Sequence, residues 1–317
     1  MRHAKVIFMG TPEFALPLLQ ALIDDPHFEI CAVITREDKK IGRRQVLTAP
    51  PIKKLALSHH LHVLQPSHLK KNIEFLELVE RLRPDFIVTM MYGHILPKEL
   101  LEIPRYGAIN LHPSLLPKYR GSSPVVSALL NGDKETGITF IKMGEKLDSG
   151  NILFVKKIPI EQQDNAASLY IKLTLIGASF LPVILKNIQE NNIQEIPQNE
   201  SQATYCGKIK KDDGCISISA LTAEEICNRI RAYTPWPSCF IFCGGRSLKF
   251  LEADFDNEKN ASPGDIVELT KNTVGIGTKK GLLIPKKIQL EGKKPMMIHE
   301  FLAGNPELLK KLLASAK

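Results

Sequence analysis

Tyr106-Gly-Ala-Ile-Asn-Leu-His-Pro-Ser-Leu-Leu-Pro-Lys-Tyr-Arg-Gly-Ser-Ser-Pro124 joins a strand pattern to a rigid loop. Alternate residues of a strand share a face, so Asn110 and His112 emerge together, roughly 7 Å apart, while Ile109 and Leu111 point the other way. Beyond them Pro113 and Pro117 fix φ and Gly121 permits a turn, which holds Ser114, Leu115 and Leu116 in a defined path. Alone, an Asn-x-His pair is more often a strand end whose polar groups satisfy neighbouring backbone. The surrounding chain decides between the two readings.

Lys5–Met9, Glu29–Thr35, Asp85–Tyr92 and Ala108–His112 are short runs rich in Val, Ile and Phe, separated by helix-period segments such as Phe14–Asp24 and Ile73–Arg81. This alternation predicts βα units and an α/β, Rossmann-like, mostly parallel sheet with helices on both faces. Ligands of such sheets bind outside the carboxyl ends of the strands, where Asn110 and His112 stand. Further on come a helix over Pro124–Asn131, a strand over Glu135–Lys142 and a loop over Met143–Ile152 that contains Asp148-Ser-Gly150. Leu169, Leu173, Ile176, Phe180, Ile184 and Ile188 recur at helical spacing behind an Asp164 or Asn165 cap. A polar stretch then reads as a solvated tether. After it, a short helix (Ala223–Ala232) and the strand patterns Cys239–Cys243, Ser247–Ala253, Gly264–Leu269, Val274–Gly277 and Gly281–Ile284 predict a small, OB-like β-barrel. The expected division is residues 1–189, a linker over 190–206, and 207–317.

Composition narrows the function. A 317-residue chain, 44% hydrophobic, accommodates two domains. The apolar run Val6–Met9 is interrupted by Gly10, Thr11, Pro12 and Glu13 before a signal-peptide core is reached, and no stretch approaches the roughly 20 apolar residues of a membrane span. A cytoplasmic protein without a membrane partner is expected. The 6 cysteines form no CxxC pair, and Cys239 and Cys243 lack partner ligands, so neither a disulfide scaffold nor a metal site is expected. His59, His60 and His62 read as a solvated helix end. The first strand-to-helix turn, Gly10-Thr-Pro-Glu-Phe-Ala15, lacks G-x-G-x-x-G, which argues against NAD, and no P-loop is present. From Gly207 onward 18 basic residues face 13 acidic ones, within a net charge of +8, which fits a polyanionic partner and equally fits surplus Lys serving solubility. Arg36–Ala49 adds five basic residues against two acidic ones in a connection too long for a plain βα loop.

Asn110-x-His112, Ser114-Leu-Leu-Pro117, Arg120-Gly121, Asp148-Ser-Gly150 and the Gly10–Ala15 opening together resemble the 10-formyltetrahydrofolate-dependent formyltransferase family. The resemblance implies that Asn110, His112 and Asp148 are catalytic, with Asp148 orienting His112 and favouring its charged form. It implies 10-formyltetrahydrofolate as cosubstrate, bound near Ser114, Leu115, Leu116 and Pro117 and near Met91, Tyr92 and Gly93, with Met91 bulkier than the family's frequent Ala. In the branch that acts on methionyl-tRNA, a basic insertion at the place of Arg36–Ala49 reaches the acceptor end; Gly42-Arg43 matches it, whereas Gln45 and Val46 depart from it. Lys39, Lys40, Arg43 and Arg44 are thereby implied in binding initiator methionyl-tRNA, by a protein expected to be a monomer. Arg231-Ala-Tyr-Thr-Pro-Trp-Pro237 and Ile288–Lys294 also resemble that branch, with Trp236 expected in the core.

Other readings fit less well. A serine hydrolase fails because Ser114 has no G-x-S-x-G elbow. A glycinamide ribonucleotide formyltransferase would end after the first domain. A 4-amino-sugar nucleotide formyltransferase shares the trio and the Pro-Trp-Pro, and a non-enzymatic RNA-binding protein on a transferase scaffold would need only the basic second domain.

Overall fold

Phe86-Ile-Val-Thr-Met90 has no polar face, and in the computed structural model, which describes residues 3–42, 44–304 and 307–314, it is a strand buried along its whole length. A run apolar on both faces suits the middle of a parallel sheet covered by helices. In chain order the elements up to His112 are β1 (Ala4–Gly10), α1 (Leu16–Asp24), β2 (Phe28–Ile34), β3 (Lys39–Ile41), β4 (Val46–Thr48), α2 (Pro51–Ser58), β5 (Val63–Leu64), α3 (Ile73–Leu82), β6 (Phe86–Met90), α4 (Lys98–Leu101) and β7 (Ala108–His112). There follow β8 (Arg120–Gly121), α5 (Pro124–Leu130), β9 (Glu135–Lys142), β10 (Ile152–Pro159), α6 (Ala166–Gln189) and β11 (Tyr205–Cys206).

The main sheet has the order β10-β9-β7-β6-β1-β2-β5. Strands β5, β2, β1, β6 and β7 are parallel, β9 runs antiparallel to β7, and β10 runs antiparallel to β9. Thr89 stands opposite Asn110, and His112 stands opposite Thr139. The carboxyl ends of β1, β6 and β7 therefore form one edge. Strand β10 closes the other side with exposed Lys156 and Lys157, charges that discourage pairing with another chain.

Leu173, Leu181 and Leu185 of α6 are completely buried, each contributing about 1.5–3 kcal/mol relative to exposure. At Gly177 a Cβ would fall 2.0 Å from Leu111 Cδ1, so a bare stretch of this helix backs the strand that carries Asn110 and His112. Helix α6, 24 residues, is also long and apolar enough to cross a membrane by length and composition, which corrects the expectation that no segment approaches that length. Half of its most apolar window is buried inside the protein, where the helix serves as core.

Two compact units emerge. The first runs to Gly121 and includes Glu135–Pro159 and Tyr170–Cys206; the second takes Ser122–Lys134, Ile160–Leu169 and everything from Gly207. Helix α5 packs on α7 (Ala223–Ala232), which begins with a reciprocal Thr222–Glu225 cap. Strands β12 (Cys239–Cys243), β13 (Arg246–Asp256), β14 (Ile266–Thr270), β15 (Thr273–Gly277), β16 (Leu282–Leu290) and β17 (Met296–Met297) form an antiparallel sheet of order β12-β13-β16-β15-β14, with β17 beside β16, and α8 (Ile298–Gly304) and α9 (Leu308–Ala314) follow. Strand β16 runs six residues past its expected end at Ile284. Pro285 does not stop it because it lies opposite Ala253, where the β13 register shifts and a missing N–H is tolerated. Trp236, expected in the core, is 57% exposed; Tyr233, at 4%, is buried in that turn instead.

Candidate active site

Strand β7 delivers Asn110 and His112 to the carboxyl edge of the sheet. The Thr89 hydroxyl donates to Asn110 Oδ1 at 2.8 Å, which fixes the amide and leaves its NH2 for an incoming oxygen. His112 is buried, and its Nε2 donates to the Tyr119 carbonyl at 2.8 Å. That bond commits one ring nitrogen. Nδ1 lies 3.7 Å from Asp148 Oδ2, beyond hydrogen-bond length, so it is the nitrogen still available to reacting atoms. Asp148 Oδ2 accepts the Gly121 N–H at 2.8 Å, which anchors the carboxylate behind the ring.

Burial holds the His112 pKa below the ordinary histidine value, opposed by the Asp148 carboxylate and the Tyr119 carbonyl. Asp148 at 3.7 Å favours the charged form, as expected, but desolvation is the larger influence on the ring. With Nε2 committed to the Tyr119 carbonyl, the neutral ring carries its lone pair on Nδ1, which can accept a proton, and the imidazolium so formed has Asp148 beside it.

The loop after β7 is built into the sheet. The Ser114 hydroxyl is buried and donates to the Lys118 carbonyl at 2.7 Å, while Thr139 donates to the Ser114 carbonyl and accepts from Leu116 N. Ser114 therefore holds the loop's shape. Leu115 packs on Gly137, where a Cβ would come within 2.5 Å of it, and Leu115 and Pro117 are half-buried while Leu116 is buried. Across the edge, Met91 (φ 49°) and Gly93 (φ 90°) make a tight turn, tied by Thr11 Oγ1 to the Tyr92 carbonyl and by Arg36 to the Gly93 carbonyl. The Tyr92 ring lies in the core with Leu96 and Leu100. Burial pushes its phenol up to about 12, and its hydroxyl finds no partner among the described residues.

The basic stretch is an ordered hairpin. Gly42 (φ 70°) and Gln45 (φ 50°) turn the chain between β3 and β4, a conformation that favours Gly. Lys39, Lys40 and Arg44 are exposed on it, as are Ile41, Val46 and Leu47; Arg43 lies outside the described residues. At its base Lys53 and Gln65 bond the Asp38 carboxylate and lower its pKa. The hairpin and the trio belong to separate parts of the carboxyl edge, and no hydrogen bond or ion pair between them is seen among the described residues.

A further correction concerns residues 190–206. They are a strap along the first unit, because their polar side chains find fixed partners there. Glu195 binds Lys142 and Asn151, Ile196 exchanges both backbone bonds with Ile152, and β11 pairs with β8. The buried Arg120 guanidinium is held by Gln198 and by Glu200 at 2.8 Å. Sequence reasoning missed Thr89, Thr139 and Gln198. The first two lie beside Asn110 and His112 once strands are paired, whereas nothing in its neighbourhood singles out Gln198. A concavity of about 560 Å³ lined by Glu80, Arg83, Asp85, Glu99 and Arg105 is elsewhere, around the amino end of β6.

This geometry has relatives. The profile described as Formyl transferase matches residues 4–185, and that described as Formyl transferase, C-terminal domain, matches residues 208–306. The chain belongs to the formyltransferase family. The formyltransferase is 44% identical over 302 residues to a protein of Caldicellulosiruptor saccharolyticus named methionyl-tRNA formyltransferase, covering 94% of this chain and 96% of that one. Its fold is shared by an N-formyltransferase from Helicobacter canadensis solved with folinic acid and dTDP-3-aminofucose (TM-score 0.66, 22% identity, 89% and 98% of the two chains). It is shared too by HypX from Aquifex aeolicus in complex with tetrahydrofolic acid (TM-score 0.62, 17% identity, 98% of this chain), about half of whose length, 48%, this chain spans.

Proposed function

We propose that this formyltransferase moves the formyl group of 10-formyltetrahydrofolate to the α-amine of methionine on initiator methionyl-tRNA, with Asn110, His112 and Asp148 as its catalytic residues. The observation that carries the reading is the pairing of Asn110 and His112 at one strand end, with Asp148 behind, in a chain that matches a methionyl-tRNA formyltransferase along nearly its whole length. As the amine attacks the formyl carbon, a new C–N bond forms and an oxyanion develops. The Asn110 NH2 donates to that oxygen. His112 Nδ1 accepts the proton the amine loses, and Asp148 stabilises the resulting imidazolium. Collapse of the oxyanion breaks the bond to N10, which takes up a proton and leaves as tetrahydrofolate.

Folate would lie along Leu115, Leu116 and Pro117 and the Met91–Gly93 turn, with Ser114 and Tyr92 supporting the walls from inside. The hairpin charges Lys39, Lys40, Arg43 and Arg44 would meet tRNA phosphates. Such a protein acts as a monomer in the cytoplasm, where its tRNA is charged. The test is incubation with 10-formyltetrahydrofolate and either methionyl-tRNA or a 4-amino-sugar nucleotide. Formylation of the tRNA alone is expected; formylation of the sugar alone replaces this reading.

A further inference from the structure

The strap carries one side chain whose bonds all converge on the catalytic loops. Gln198 Nε2 donates to the carbonyls of Asp148 and Gly150, each at 2.8 Å. Its Oε1 accepts from Arg120 Nε at 3.0 Å and Nη2 at 2.8 Å. Two donors and two acceptor sites are all an amide has, so the half-buried side chain is fully used. The turn it grips is a costly one. Asp148 has φ 49°, a region that non-glycine residues seldom enter, and a Cβ at Gly150 would sit 1.8 Å from the Lys142 carbonyl. From that conformation the Asp148 carboxylate accepts the Gly121 N–H and stands 3.7 Å from His112 Nδ1.

We propose that Gln198 is a positioning residue for formyl transfer: by clamping the carbonyls of Asp148 and Gly150 to Arg120, it keeps the Asp148 carboxylate turned toward His112. The inference rests on the catalytic reading given above. It assigns part of the catalytic geometry to a segment that otherwise connects two units, and it acts through Asp148 alone, touching neither formyl donor nor amine.

The test uses the full chain with Gln198→Met, which removes both halves of the clamp, and Gln198→Glu, which keeps the acceptor for Arg120 and loses the donors to Asp148 and Gly150. Each is measured with 10-formyltetrahydrofolate and methionyl-tRNA, alone and with Asp148→Ala. In both single variants kcat falls about tenfold while each KM stays within about twofold, because only the orientation of a group used in the transition state is lost. On the Asp148→Ala background, Gln198→Met changes kcat by less than about twofold. Parental kcat in Gln198→Glu, or losses that multiply between Gln198→Met and Asp148→Ala, would overturn the inference and leave Gln198 a simple anchor for Arg120. If Gln198→Met does not fold, Gln198→Glu and its combination with Asp148→Ala decide by the same two criteria. Parental turnover in Asp148→Ala itself would remove the catalytic reading together with the inference, whereas a slow Asp148→Ala with parental Gln198 variants removes the inference alone.

Discussion

The end of β7 and the β3–β4 hairpin both project from the carboxyl edge of one sheet, yet they are built on opposite terms. At β7, Ile109 and Leu111 are fully buried, Gly177 lets α6 lie against Leu111, and Thr89, Tyr119 and Gly121 fix the polar groups. On the hairpin, Ile41, Val46 and Leu47 are more than half exposed, and Lys39, Lys40 and Arg44 reach solvent. Chemistry needs groups held within fractions of an ångström, and the end of β7, where we propose it occurs, is where the core leaves no freedom. Recognition of a large anion needs reach and charge, which a hairpin outside the core can supply without risk to the fold.

The widest separation between the two regions should appear in turnover. Asn110→Ala and His112→Ala each lower kcat by about two to three orders of magnitude, with a folded circular-dichroism spectrum. A well-folded variant with parental kcat would dissolve the contrast. Next come two glycines, one in each region. Gly121 (φ 120°) would place a Cβ 2.1 Å from the Cys206 carbonyl, so Gly121→Ala should cost about 2–3 kcal/mol by urea denaturation. A Cβ added at Gly42 (φ 70°) would meet nothing within 4 Å among the described residues beyond its chain neighbours, so Gly42→Ala should cost only about 1 kcal/mol from backbone strain. Equal losses would show that the end of β7 is no more tightly packed than the hairpin.

Acid sharpens the comparison further. The folded-state pKa of His112 lies below its ordinary 6.5, so the unfolded chain binds that proton more readily. The stability this contributes is complete above 6.5 and is lost as pH falls below that value toward the folded pKa. In paired urea titrations at about pH 7 and about pH 5, the parent should lose more stability than His112→Gln. An equal loss in both would mean that the ring is not kept neutral by burial. The smallest effect belongs to the hairpin charges. Lys39, Lys40 and Arg44 changed together to Ala should flatten the salt dependence of tRNA binding by about 0.7–0.9 for each phosphate no longer neutralised, leave folate binding unchanged, and alter stability by no more than about 0.5 kcal/mol. An unchanged salt slope would remove the hairpin from the tRNA surface.

The two regions also differed in how far they could be read from the chain. Strands β1, β2, β6 and β7 announced themselves because largely buried strands are rich in apolar, mostly branched or aromatic residues, and the polar pair at the end of β7 followed from alternation alone. The hairpin and the strap escaped for the same physical reason. Their residues are held by hydrogen bonds to distant loops and by turn glycines, and an exposed strand of three residues has no hydrophobic period to display. Helix α5 was visible, but its membership of the second unit depends on packing against α7, a hundred residues on, which local pattern does not encode. Trp236 was misplaced because a bulky aromatic between prolines looks like core, whereas Tyr233 three residues earlier is the one buried.

The central claim is that the edge made by Asn110, His112 and Asp148 transfers a formyl group to methionyl-tRNA. Single-turnover transfer of labelled formyl from 10-formyltetrahydrofolate, with saturating protein and with methionyl-tRNA and a 4-amino-sugar nucleotide offered in separate reactions, tests it directly. The parent should label the tRNA and leave the sugar unlabelled, and Asn110→Ala should transfer about 100-fold more slowly while still binding both substrates. Faster transfer to the sugar nucleotide, or an Asn110→Ala protein that keeps the parental rate, would contradict the account.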